Sequence, residues 1–154
     1  MTAVETTPTE AADGSVGLPF TMPVELGKVR EFLASTMGDV DAWITDPQCH
    51  IPPTFLASAR LWQGPGEAVN PQSADTSRLL HAGQEYVFHG PPPRVGTTLS
   101  GQARISRVYR KRGRRGGEMT FTEVTTEFTD ESGRLVATAV TTTVITEQTS
   151  EGDR

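Results

Sequence analysis

Apolar residues first recur at helical spacing between Val24 and Met37, where Leu26, Val29, Leu33 and Met37 share one stripe and Phe32 lies beside it. Pro23 fits the first helical position, and Gly38 stands where helices commonly stop. Just before, Gly17-Leu18-Pro19-Phe20-Thr21 reads as a short edge strand. A second segment, Thr54 to Trp62, is apolar nearly all round through Phe55, Leu56, Ala57, Ala59, Leu61 and Trp62, the composition of a buried helix. Gly64-Pro65-Gly66 then opens a loop running to Arg78, a length typical of lids and interfaces.

From Leu79 onward the period changes from helical to extended. Residues 79–89 place Tyr86 and Phe88 on one face. Residues 97–109 alternate, with Leu99, Gly101, Ala103 and Ile105 inward and Ser100, Gln102, Arg104 and Ser106 outward. In 118–129, Met119 and Phe121 fall on one parity but Val124, Thr126 and Phe128 on the other, which predicts a β-bulge near Glu123-Val124. Leu135 to Thr146 is β-branched throughout, as a central strand requires. Arg112 to Gly117 and Asp130-Glu131-Ser132-Gly133 read as hairpin turns, so the last three strands form an antiparallel meander. One buried helix followed by antiparallel strands is an α+β domain with the sheet wrapped around the helix, the hot-dog architecture.

Composition trims this picture at both ends. Hydrophobic residues make up 35% of the 154. Residues 1–17 and 147–154 hold little to bury and are expected to be disordered tails around a single domain spanning 18–146. A net charge of −5 argues against bulk attraction to nucleic acid or to an anionic membrane. One cysteine, Cys49, excludes an internal disulfide and fits a reducing compartment. Glu5 and Glu10 stand where a signal peptide would carry a basic region, and no apolar run approaches the roughly 20 residues of a membrane span, so a cytoplasmic location is expected.

The stretch Gly38-Asp39-Val40-Asp41-Ala42-Trp43-Ile44 sits between the first helix and Ile51-Pro52-Pro53-Thr54-Phe55-Leu56. Further on, Glu85-Tyr86-Val87-Phe88-His89 leads through a Pro-rich turn to Val95-Gly96. In order and spacing these features resemble the MaoC-like, FAS1-like dehydratase N-terminal domain family of hot-dog fold. Within it, the chain is most similar to the small subunits of actinobacterial heteromeric (R)-3-hydroxyacyl dehydratases. The active-site loop of that family reads Gly-Asp-x-Asn-Pro-aliphatic-His, and its Asp and His hold the water that adds to or leaves an acyl thioester. Aligned without gaps, Asp39 keeps the acid, but Ile44 occupies the histidine position and carries no proton to move. The segment between Asp46 and Pro52 also looks shorter than in relatives.

A second departure points the same way. The family resemblance implies a backbone N–H at the start of the central helix, aimed at the thioester oxygen. This chain has Pro52 and Pro53 there, and proline has no N–H. Loss of one such donor costs other enzymes about two to three orders of magnitude in rate. Asp39 reads either as a remnant active-site carboxylate or as a solvated residue after a helix end, where the helix dipole disfavours an acid. His50 is the one candidate for a displaced base. Cys49-His50 does not make a metal set, because adjacent side chains seldom converge and no further cysteine exists. His81 and His89 read as structural. A thioesterase would resemble its hot-dog relatives in carrying a carboxylate on the central helix, yet the only charge in Thr54–Trp62 is Arg60.

Arg107, Arg110, Lys111, Arg112, Arg114 and Arg115 form a basic cluster in an acidic chain. It reads as a solvated hairpin tip that discourages edge aggregation, or else as a dock for the phosphates of a thioester carrier. Nearly absent aromatic interleaving weakens a nucleic-acid reading.

The expectation is therefore an acyl-binding, non-catalytic subunit of a heteromeric (R)-specific 3-hydroxyacyl-thioester dehydratase, or enoyl-CoA hydratase in reverse. The resemblance implies a catalytic MaoC-type partner, an acyl-CoA or acyl carrier protein thioester as ligand, and no metal or redox cofactor. Phe55, Leu56, Ala59 and Trp62 are the candidate acyl-lining residues. A stand-alone homodimeric acyl-thioester or lipid-binding module fits the same features. A third reading is an active homomeric dehydratase using Asp39 with His50.

Overall fold

Strict alternation in the segment after Gly96 makes the longest strand of a five-stranded antiparallel sheet. The computed structural model describes residues 15–69, 78–113 and 117–146. Its strands are β1 (Phe20–Pro23), β2 (Leu79–Phe88), β3 (Thr98–Arg112), β4 (Glu118–Thr129) and β5 (Leu135–Thr146), ordered β1-β3-β4-β5-β2. The helical elements are α1 (Leu26–Ser35), α2 (Val40–Trp43) and a 3-10 helix (Phe55–Trp62). This is the α+β hot-dog arrangement expected from the pattern, with the meander β3-β4-β5 in place. The expected tails lie outside the described residues except for Ser15–Gly17. These three lie along β3, where Val16 bridges Arg104 and Gly17 N–H donates to the Ala103 carbonyl at 2.8 Å.

Packing explains the order. Leu99, Gly101, Ala103 and Ile105 are buried on β3, and Leu99, Phe128, Ala137 and Ala139 share one core with Val29, Leu33, Phe55 and Leu56 from the helical layer. Phe20 lies flat over Gly101, so closely that a Cβ there would overlap its ring, and meets Phe128 edge-on with ring centroids 6.2 Å apart. Phe32 of α1 meets Phe55 edge-on at 5.5 Å.

Four local expectations are corrected. Pro23 ends β1 instead of starting α1, and Glu25 occupies the N-cap position. The leading edge strand is Phe20–Pro23 instead of residues 17–21, because Phe20 and Met22 point inward at 2% and 0% exposure.

The irregularity expected near Glu123-Val124 lies at that pair, but its extra residue is on β3 instead of β4. The register steps from Ile105↔Val124 to Arg107↔Glu123, leaving Ser106 as the extra residue. Ser106 Oγ donates to the Glu123 carbonyl at 3.1 Å and accepts from Thr125 Oγ1 at 2.8 Å, so its hydroxyl fills the broken ladder. The parity change within β4 has another cause. Phe128 faces the core, whereas Phe121 faces the opposite side and stacks on Tyr109 with centroids 5.0 Å apart.

The central helix is 3-10 in form. Its bonds run from Phe55 N–H to Pro52 O, Ala57 N–H to Thr54 O and Gln63 N–H to Arg60 O. Ser58 Oγ also takes the Phe55 carbonyl at 2.7 Å, competing for an α-helical acceptor. The tighter winding leaves Leu61 72% exposed, against the expectation of burial all round.

Candidate functional site

The loop after α1 is built by a helix stop and a helix start in direct succession. Met37 N–H donates to Ala34 O and Gly38 N–H to Leu33 O, the pair of bonds that closes a helix through a left-handed residue. Met37 occupies that conformation at φ 57. Gly38 follows because a Cβ there would press on Leu33. Asp39 then begins α2, its Oδ1 accepting from Ala42 N–H at 3.0 Å. Asp39, read from the sequence either as a remnant catalytic acid or as a solvated residue after a helix end, serves as an exposed N-cap. Ile44 closes α2, donating its N–H to Val40 O at 2.9 Å, and its half-buried side chain packs against the core.

Trp43 ties this loop to the next, its Nε1–H donating to the His50 carbonyl at 2.9 Å. From Cys49 to Ile51 the chain runs beside the Pro-rich turn. Val95 N–H donates to Cys49 O at 3.0 Å and Ile51 N–H to Pro93 O at 2.9 Å. His50 Nδ1 lies 2.6 Å from the Pro92 carbonyl. A carbonyl oxygen only accepts, so Nδ1 carries the proton and Nε2 holds the lone pair in the neutral ring.

His50 lines an open cavity of about 270 Å³ with Arg94, Thr97, Asp130 and Arg134 at its polar side, and Leu99 and Val136 among its apolar walls. Asp130 anchors the β4–β5 turn. Its Oδ1 accepts from the Ser132 hydroxyl at 2.6 Å, Ser132 N–H at 3.0 Å and Arg134 N–H at 3.1 Å, and its Oδ2 accepts from Arg134 Nε at 3.1 Å. The Ser132 hydroxyl foremost, then the Arg134 and Ser132 amides, hold this carboxyl below the usual range despite some desolvation. Arg94 donates to Gln48 O at 3.0 Å, with Asp46 3.9 Å away.

The remaining sequence candidates fall elsewhere. Phe55, Leu56 and Ala59 are buried in the core, whereas Trp62 is half-buried against it. Pro52 and Pro53 precede the 3-10 helix as expected. Cys49 is buried and makes no disulfide. His81 is exposed on β2, and exposed His89 bonds Thr138 Oγ1 at 2.9 Å. Asp39 and His50 are thus engaged in separate contacts, one with Ala42 and the other with Pro92.

In the basic cluster, Arg110 pairs with Glu118 at 3.2 Å and Arg107 with Glu123 at 3.8 Å, while Lys111 lies over the Tyr109 and Phe121 rings at 5.1 and 5.3 Å. Two of the charges therefore have carboxylate partners on β4, an arrangement that suits a solvated face. Arg112 ends β3, exposed, and Arg114 and Arg115 lie outside the described residues.

Sequence reasoning missed Arg94, Asp130 and Arg134 as site residues. Asp130 and Arg134 carry a turn signature, and nothing in that pattern reveals that the turn folds beside His50. Among the described residues, no three of His, Cys, Asp and Glu gather to hold a metal, and no helix is long and apolar enough to cross a membrane.

Several solved structures share this fold. The 3R-hydroxyacyl-ACP dehydratase complex HadBC from Mycobacterium tuberculosis is similar at 20% identity and TM-score 0.57, covering 90% of this chain and 99% of that chain. The ChsH1–ChsH2 complex from Mycobacterium tuberculosis is similar at 16% identity and TM-score 0.60, covering 84% and 83%. A MaoC-like dehydratase from Rhodospirillum rubrum is similar at 13% identity and TM-score 0.53, covering 91% and 94%. Among curated proteins no sequence relative matches. The family model described as FAS1-like, dehydratase domain region, matches residues 14–139, spanning every helix and four of the five strands whole, and the chain belongs to that family.

Proposed function

We propose that the chain is an acyl-binding, non-catalytic subunit of a cytoplasmic heteromeric (R)-specific 3-hydroxyacyl-thioester dehydratase, which also runs in reverse as an enoyl-CoA hydratase. The observation that carries the reading is the state of the α2 loop. Its family-position acid, Asp39, caps a helix, and the position where the family resemblance implies an imidazole holds Ile44, packed on the core. Dehydration of a 3-hydroxyacyl thioester needs a base for the proton beside the carbonyl and an acid for the leaving hydroxyl. A MaoC-type partner supplies both. Pro52 and Pro53 add a reason, since neither can donate to the thioester oxygen.

The sheet supports a partner of the same fold. Tyr109, Phe121, Val144 and Leu80 lie in register across β3, β4, β5 and β2, an apolar stripe in which Tyr109 and Val144 are already buried within the chain. It ends at Leu80, 56% exposed, on a strand whose outer edge pairs with no strand among the described residues. An edge of that length is normally covered. HadBC and ChsH1–ChsH2 are complexes, which favours a partner chain here. Trp62 retains surface to line an acyl tunnel, with Phe55, Leu56 and Ala59 behind it as support.

Co-expression with a MaoC-type chain bearing intact Asp and His tests the reading. The expected result is a stable complex that hydrates crotonyl-CoA or a longer enoyl-CoA while this chain alone does not. Robust hydration by the isolated chain overturns it. A homodimer indifferent to such partners replaces it with the stand-alone acyl-binding module.

A further inference from the structure

The cavity beside His50 joins three segments far apart in sequence: the loop ending at His50, the Pro91–Arg94 turn and the Asp130–Arg134 hairpin. Two arginines, Arg94 and Arg134, line it together with one carboxylate, Asp130, which already takes the Nε edge of Arg134. That carboxylate is occupied, since five hydrogen-bond and ion-pair contacts from Ser132 and Arg134 close on its two oxygens. Arg94 is oriented by the Gln48 carbonyl, and the Pro92 carbonyl fixes the His50 ring. Leu99 and Val136, at 0% and 7% exposure, give an apolar floor.

The geometry points to a binding site for a phosphate that still carries a proton, held by the donors of Arg94 and Arg134, with its O–H given to Nε2 of His50. Guanidinium forks match phosphate oxygens in pairs. A neutral imidazole with Nδ1 committed to a carbonyl has one remaining nitrogen, and that nitrogen accepts. Hydrogen phosphate meets both demands, whereas sulfate offers the same charge and no hydrogen at neutral pH. About 270 Å³ is just under the range of drug-sized pockets and leaves room for a hydrogen phosphate ion. The site does not depend on the acyl-subunit reading, and its test needs no partner chain.

The full-length chain, labelled with nitrogen-15, is titrated at pH 7.5 with inorganic phosphate, sulfate and chloride at matched ionic strength. Amide signals of Thr97 and Val136 and the ring signals of His50 are followed. Saturable shifts with phosphate are expected, with sulfate at least about tenfold weaker, because a site built to accept a hydrogen bond penalises a ligand lacking the donor. Arg94→Gln and Arg134→Gln should each weaken phosphate binding about tenfold. His50→Asn, whose side-chain amide can keep the bond to Pro92, should erase the preference over sulfate and leave the fold intact. Methyl phosphate, at this pH almost wholly a dianion without an O–H, should bind about as weakly as sulfate, and methyl phosphate binding as tightly as phosphate overturns the role of His50. Equal responses to phosphate and chloride, or wild-type affinity in both arginine variants, overturn the proposal. Equal affinity for phosphate and sulfate overturns the role of His50.

Discussion

Met37 shows how one side chain can carry a strain that its neighbour would relieve. It is 95% exposed at φ 57, so its side chain contributes no packing while its backbone occupies a conformation that favours glycine. Met37→Gly should therefore stabilise the chain by about 0.5–1 kcal/mol, read as a higher urea midpoint at unchanged slope. Gly38→Ala should do the reverse, because its Cβ would press on the Leu33 carbonyl and side chain. Asp39 supports a different test. Asp39→Ala loses an N-cap and should cost about 1 kcal/mol, whereas Asp39→Ser should restore most of it. If Asp39 acts only as a cap, the partnered complex turns over equally well with Asp39→Ser, and a large loss in kcat would show that the carboxylate touches the reaction. The sequence displayed Gly38 and Asp39 as a helix end. It did not display the second helix, because Val40–Trp43 is a single turn too short for any period.

At the scale of elements, pattern located four strands within three residues at either end, because Leu99 to Ile105 alternates toward one face and Leu135 to Thr146 is rich in β-branched residues. Alternation failed where faces change meaning. Phe121 is apolar yet lies away from the core, paired with Tyr109, so its parity suggested an irregular β4 when the extra residue was Ser106 in β3. Ser106→Ala should cost about 1 kcal/mol by leaving the Glu123 carbonyl and buried Thr125 hydroxyl short of a partner. Chemical unfolding of the two proteins measures this directly. Gly101→Ala should be harsher, about 3 kcal/mol, because the added methyl displaces the Phe20 ring from the strand it covers. The central helix misled in its own way. Its composition is helical, but the Pro52 carbonyl starts a three-residue bonding pattern that local propensity does not reveal.

The whole molecule has an electrostatic limit on each side of neutrality. Asp130 is held below its usual range by Ser132 and Arg134, so it supports the fold above about pH 4, and that support is lost as pH falls through the folded value. Acid unfolding of Asp130→Asn should accordingly show a shallower decline below pH 4. Tyr86 and Tyr109 are pushed up, chiefly by burial, so their neutral forms favour the fold and stability declines as pH rises above about 10. Tyr86→Phe should flatten that alkaline limb. The cavity at His50 was illegible beforehand for a topological reason: residues 50, 94, 130 and 134 meet only after the meander has folded back on the first loop.

The rim of β2, which no strand among the described residues covers, carries a further consequence for how the molecule can exist in a cell. Ten residues of extended backbone with Leu80 and Val87 showing are adhesive to any similar rim they encounter. Solitary copies made in surplus would adhere to one another in proportion to their number. Synthesis in step with whatever shields that seam would keep the population dispersed.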